Sequence, residues 1–402
     1  LGNLPTITKN VEHSLEKLQK KSPLSKNRNR GKKGYSPPNS IQLALERVSK
    51  AIESQKFRVR LNKYHKMLNK IIPGYATPLS RYCSIFDVEE ATVKESFAHY
   101  LDSSRDRYFE LLNRFYEKQQ SSMGEKVKNN LLSSTNPLEA RTYRGLFYPK
   151  WTDVFQTCDL SQVHERIRQW LEREGILPQD SRQLYELHLD IGTILQPFGI
   201  PNVTLFQIHK TSLSDVHVVV ADNRVAYELQ MLGHELGHVT QMINSQQKNL
   251  KEGMMWSSAN TEFSSHLFEH LLEWPEFVSS AMNVSEADAK VLAEFMEFLI
   301  TTKNRFAVLR ALFVLQLMSK KGKVGVFAFR KLKNEFKAQC VKVLGMKRTK
   351  HDFYSNNEIH FVEEGRAICA AYKQSRDPRT IPQTLQKVSK APIGLPLFEL
   401  LR

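Results

Sequence analysis

The chain has 402 residues, of which 41% are hydrophobic, 10% aromatic and 25% charged, with a formal net charge of +16. Those fractions suit a chain that buries a large core and exclude wholesale disorder, and no uninterrupted apolar run approaches the ~18 residues a spanning helix needs. The four cysteines (Cys83, Cys158, Cys340, Cys369) lie far apart without a C-x-x-C pair, which argues against a disulfide scaffold or a Cys-type zinc site and fits a reducing compartment.

The chain opens on Leu1 rather than Met, which reads as a processed or trimmed start. Residues 1–40 hold nine Lys/Arg against Glu12 and Glu16, a net +7, followed by Gly34, Pro37 and Pro38. They read as an extended basic tail with little to bury. From Ile41 the apolar spacing is helical (Leu43, Leu45, Val48, Ile52, then Leu61, Tyr64, Met67, Leu68, Ile71) until Pro73-Gly74 and Pro78 break it. Val93, Phe97, Tyr100, Leu101, Tyr108, Leu111 and Phe115 predict a long helix over 87–120, and Ser121–Pro137 a loop. Helical spacing returns over 160–175 and 181–196.

Val203–Ile208 and Val216–Val220 are β-branched or aromatic runs separated by turn residues, which predicts a small hairpin. Helical patterns resume at Arg224, and Ser285-x-x-Asp288 is a capping-box start for a long helix through Leu299. Residues 320–350 hold eleven Lys/Arg against Glu335, a net +10, which leaves −1 for the remainder outside the two basic segments. A near-neutral body therefore carries residues 17–33 and 320–350 as candidate contacts for RNA or an anionic surface. Tyr35 is the single aromatic of the first segment, so base stacking has little support there. The fold class read from these patterns is mostly α, with a small β-hairpin or sheet just before one helix.

That helix carries Met231-Leu-Gly-His-Glu-Leu-Gly-His-Val-Thr-Gln241. His234 and His238, four residues apart, project from nearly one helical face about 6 Å apart along the axis. Two imidazoles at that separation can bind one Zn²⁺, and Glu235 beside the first can take a proton from the attacking water. With 13 histidines in 402 residues, such a motif arises by chance in about one chain in forty of this composition, so a third ligand decides. Downstream, Glu262, Ser265, Glu269 and Glu273 are spaced 3, 4 and 4 and share a helical face. A glutamate from that face is a natural third ligand. His266 and His270 offer the same spacing as the first pair, without a carboxylate in the general-base position.

The segments His234-Glu-Leu-Gly-His238-Val and Thr261-Glu262-Phe-Ser-Ser-x-x-x-Glu269 resemble the thimet oligopeptidase and mitochondrial intermediate peptidase family. The approach segments Val154–Val163 and Leu184–Leu187, and the stretch Lys303–Gly322, are similar to regions around that family's site. The resemblance covers roughly residues 150–375. It implies a zincin-like helical metallopeptidase domain over 151–402, preceded by a shortened N-terminal helical region over 41–150. It implies His234, His238 and Glu262 as zinc ligands, Glu235 as general base, Glu269 as the group orienting a ligand imidazole, hydrolysis of short unfolded peptides, and a location in the mitochondrial matrix, with which the basic front end agrees.

The family's late substrate-binding segment corresponds to His351–Ala367. His351 fits the family histidine, while Ile359, His360 and Val362 stand where tyrosines are expected and the Gly-rich loop is missing. His351, Tyr354 and His360 are the substrate-binding candidates. Ala259 replaces a typical acidic residue. These departures, with the short front half and the basic segments, leave a second expectation: a non-catalytic peptidase-like subunit of a large mitochondrial assembly, a ribosome or a respiratory complex.

Overall fold

A Pro at the first turn of a helix loses no hydrogen bond, and Pro78 uses that allowance. Read from sequence as a break, it instead opens helix α1 (Pro78–Ile85) behind a Thr77 cap. The Thr77 hydroxyl accepts from Ser80 N at 3.0 Å and Ser80 Oγ accepts from Thr77 N at 3.1 Å. The computed structural model describes residues 74–114, 159–188, 203–207, 216–220, 226–246, 258–345 and 358–389, with Arg58, Val59, Asn62, Lys63 and Lys66. All belong to one compact unit, Ile52–Arg402. The expected basic tail, most of the helical spacing over 41–71 and the expected loop Ser121–Pro137 lie outside the described residues.

The helix expected over 87–120 is found as α2 (Glu90–Ser103) and a helical stretch 105–114, meeting at Ser104. Arg305 holds that joint. Its Nη1 donates to the Leu101 carbonyl and the Ser104 hydroxyl at 2.6 Å each, its Nη2 donates to the Val343 carbonyl at 3.0 Å, and its guanidinium lies 4.9 Å from the Tyr108 ring centroid. This fully buried cation is thus satisfied by carbonyls and a π face, as a buried charge requires.

Helix α3 (Leu160–Arg173) follows its prediction, capped by Asp159 and burying Leu160, Val163, Ile167, Trp170 and Leu171 at helical spacing. The helix expected over 181–196 is overturned where the structure describes it. Asp180 is left-handed (φ 59°), the Glu172 carboxylate accepts from both Ser181 N and Ser181 Oγ at 2.8 Å, and after one 3₁₀ turn the chain extends as β1 (Glu186–His188). The apolar spacing there serves a strand edge. β2 (Val203–Gln207) and β3 (Val216–Val220) pair antiparallel as expected, with Leu205 opposite Val218, and β1 pairs parallel to β3 to give the order β1-β3-β2.

Seven helices complete the described fold: α4 (Ala226–Gln246), α5 (Ser258–Glu269) with a 3₁₀ continuation His270–Glu273, α6 (Pro275–Met282), α7 (Glu286–Met318), α8 (Val326–Leu344), α9 (Glu358–Gln374) and α10 (Ile381–Ser389). The Ser285 cap is as expected, its Oγ accepting from Asp288 N at 3.2 Å, but α7 runs for 33 residues and passes well beyond Leu299. It threads two apolar clusters. Ala289, Leu292, Met296 and Ile300 pack with α3, α4, α5 and α10, whereas Phe306 to Met318 pack with α1, α2, α8 and α9. The chain is mostly helical, and among the described residues no helix is long and apolar enough to cross a membrane.

One titration is built into this frame. His164 on α3 shares a 2.7 Å hydrogen bond with the Tyr185 hydroxyl, and burial lowers the histidine to about 4. The unfolded chain binds that proton near pH 6.5, so stability falls as pH drops from 6.5 toward 4, by at most roughly 3 kcal/mol and less where solvent reaches the ring. His164→Gln should flatten this part of the profile in denaturant titrations across pH 4–7; an unchanged slope refutes the assignment.

Candidate metal centre

The core face of α4 is the stripe Leu229, Leu232, Leu236, Val239 and Ile243, all buried, at spacings of 3 and 4. His234 and His238 fall on the adjoining face, ring centroids 4.9 Å apart and nearly perpendicular. Helix α5 packs directly across them because Gly237 has no side chain. A Cβ there would stand 2.6 Å from the Ser264 carbonyl oxygen and inside contact with Ser265 Cα. The close crossing brings Glu262 Oε2 to 3.4 Å from His234 Nε2 and 3.8 Å from His238 Nε2. Donor atoms around a tetrahedral Zn²⁺ at 2.0–2.1 Å lie about 3.3 Å from one another. Glu262 Oε2 stands near that separation from each imidazole, the donor atoms of the three residues lie within 4.8 Å of one another, and His234, His238 and Glu262 could hold a divalent metal.

His234 faces carboxylates on both ring edges. Its Nδ1 pairs with Glu269 Oε1 at 2.6 Å, its Nε2 with Glu262. Burial pulls this imidazole down, but the two carboxylates prevail and raise it to about 9. Burial depresses His238 to about 4. Burial also pushes the Glu262 carboxyl up, yet the two imidazoles outweigh it and hold that group well below the usual carboxylate range. Glu235, next to the first imidazole and 6% exposed, is raised by burial, the direction that suits a proton acceptor working near neutral pH.

A second group, His234, His266 and Glu269, is also close enough to hold an ion. It already contains a cation. Lys303 from the middle of α7 donates to Glu269 Oε1 at 2.5 Å, and Gln230 Nε2 reaches Glu269 Oε2 at 3.4 Å. A divalent ion would have to displace that ammonium, whereas no lysine or arginine among the described residues pairs with Glu262 in the first group. The first group is accordingly the metal candidate, and Glu269 is the support that fixes the His234 ring. His270 points elsewhere, pairing with Glu273 at 2.9 Å, so it does not converge with His266 on one ion.

The first turn of α5 is anchored from α9. The buried Glu363 carboxylate accepts from Ala259 N at 3.3 Å, from Arg366 Nη1 at 2.8 Å and from the Tyr82 hydroxyl. Glu364, one residue on, pairs with Arg310 at 2.6 Å; burial raises its carboxyl, and Arg310 with the nearby His266 and His360 lowers it below the usual value. His360, a sequence candidate for substrate contact, thus stands on the helix that packs beside α5. His351 and Tyr354 lie outside the described residues. Lys303, Gly237 and Glu363 were not singled out by sequence. The signal for Lys303 was a cation within the polar stretch Thr301–Arg305, set between apolar Phe298–Ile300 and Phe306–Leu309. No protein-family model, curated protein or solved structure matches this chain.

Proposed function

We propose that the chain is a zinc metallopeptidase of zincin-like architecture that hydrolyses short unfolded peptides. The observation that carries this reading is the convergence of His234 Nε2, His238 Nε2 and Glu262 Oε2 beside the buried carboxyl of Glu235. When bound there, zinc acts as a Lewis acid toward the scissile carbonyl and acidifies water. The rest is the work of the chain's own side chains. Glu235 accepts the proton of the attacking water and returns it to the leaving amine. Glu269, held by Lys303 and Gln230, keeps the His234 Nδ1 edge engaged so that Nε2 stays aimed at the metal position. His360 on α9 supplies a polar contact for the peptide.

The test is metal removal. Treatment with 1,10-phenanthroline should abolish cleavage of a quenched fluorogenic peptide, and one equivalent of Zn²⁺ per chain should restore it. Zinc held at that stoichiometry with no cleavage of any peptide in a diverse pool refutes the enzyme and leaves the ion a fastener between α4 and α5. Glu269→Gln should weaken zinc affinity by about 10–100-fold in competition with a chromophoric chelator. Unchanged affinity would show that the His234 ring needs no such support.

A further inference from the structure

Helix α8 has two faces of different character. Phe329, Leu332, Phe336, Cys340 and Leu344 are buried against α7 and its neighbours. The opposite stripe, Phe327, Lys331, Asn334, Ala338 and Val341, is spaced 4, 3, 4 and 3 and faces solvent. Of the five large hydrophobic residues exposed among the described residues, three are on this helix: Val326 at 42%, Phe327 at 84% and Val341 at 45%. Val326 and Phe327 are adjacent at the first turn of the helix, and a phenylalanine so exposed marks a contact surface.

Cations surround them. Arg330 and Lys337 flank the stripe on one side and Lys342 on the other, and the turn before the helix adds Lys320, Lys321 and Lys323. Among the described residues none of these six is ion-paired, and Glu335 is the single acid between 320 and 344. The turn is also pinned. Asn62 accepts from Val324 N at 2.9 Å and donates to Val324 O at 3.2 Å, and Arg58 donates to the same carbonyl at 3.2 Å. The lysines and Phe327 are therefore presented on a fixed backbone.

We infer that this face of α8, led by Phe327, docks the protein on an anionic lipid surface. An exposed phenylalanine at the first turn of a helix, set among cations unpaired within the described residues, suits shallow insertion of that ring among lipid headgroups while the lysines meet phosphates. A nucleic acid would use the same lysines, but valine offers it nothing and Phe327 is the lone aromatic on the exposed stripe, where strand binding needs several stacking platforms. The inference is independent of the metal centre.

The full chain is mixed with vesicles of phosphatidylcholine alone or with phosphatidylserine or cardiolipin added, and partitioning is measured by sedimentation. Binding is expected on the anionic vesicles and weakened by salt. Phe327→Ala should reduce it about 5–10-fold and Phe327→Trp retain it, and the double variant K320E/K321E should reduce it more than 10-fold, all with unchanged thermal midpoints, because these side chains are exposed. Equal partitioning on neutral vesicles, or no loss in either the Phe327→Ala or the lysine variant, overturns the inference. So does tighter binding to a single-stranded RNA oligonucleotide, competed by that RNA and indifferent to Phe327→Ala.

Discussion

Glu235→Gln should lower kcat/KM for peptide hydrolysis by about 10²–10⁴-fold, the range that positioned proton transfer contributes, while zinc content stays at one per chain. The amide keeps the size of the carboxyl, and the donor atoms of His234, His238 and Glu262 are untouched by it. Burial disfavours the charged form of Glu235, so replacing it by the neutral amide removes a charge that the site does not favour. Folding should therefore be nearly unaffected, and loss of activity reads chemistry alone. Retained activity with Gln at 235 removes the proton-transfer role and with it the peptidase reading.

Gly237→Ala should do the reverse, disrupting structure first and chemistry as a result. In the interior of a helix, Gly to Ala normally gains up to about 1 kcal/mol. At 237 the added methyl meets the Ser264 carbonyl and the Ser265 backbone, which cannot rotate aside. The two helices must separate, at a cost of about 1–3 kcal/mol or more, and Glu262 withdraws from the imidazoles it now reaches at 3.4 and 3.8 Å. Zinc affinity should fall at least tenfold. Gly233→Ala is the control, because its nearest neighbour, at 3.2 Å, is a terminal methyl of the Leu272 side chain rather than backbone. That variant should be close to neutral in denaturant titrations. If the two alanines behave alike, close packing at 237 is not what builds the site.

The helices were legible wherever a periodic apolar stripe ran unbroken, with a recognisable cap at Ser285. Ser285 starts α7 as read, α3 follows its apolar spacing over 160–175 with an Asp159 cap that the structure adds, and the β2–β3 pair follows its valine-rich runs. The failures have physical causes. Residues 181–188 carry helix-like apolar spacing, but Glu172, on the last turn of α3, takes the Ser181 amide, and pairing with β3 takes the backbone afterwards. Pro78 looked like a stop because its place within a helix depends on the cap before it. In the site, the His234–His238 spacing declared itself because both residues share one helix. Spacing alone narrowed its partner glutamate only to one face of the next helix; the family resemblance singled out Glu262, and the crossing of α5 over α4 is what brings that residue rather than Glu273 to both imidazoles. Lys303 was harder still, since its partner lies 34 residues away on another helix.

Helix α7 has a mechanical consequence. At 1.5 Å per residue its 33 residues make a rod about 50 Å long, with Lys303 near the midpoint and one apolar cluster packed along each half. Neither cluster can melt while the other persists without fraying the rod that both grip. The two halves are thereby coupled into one cooperative transition, so a fault introduced beside α1 or α8 is felt at Glu269 as a loosened strut.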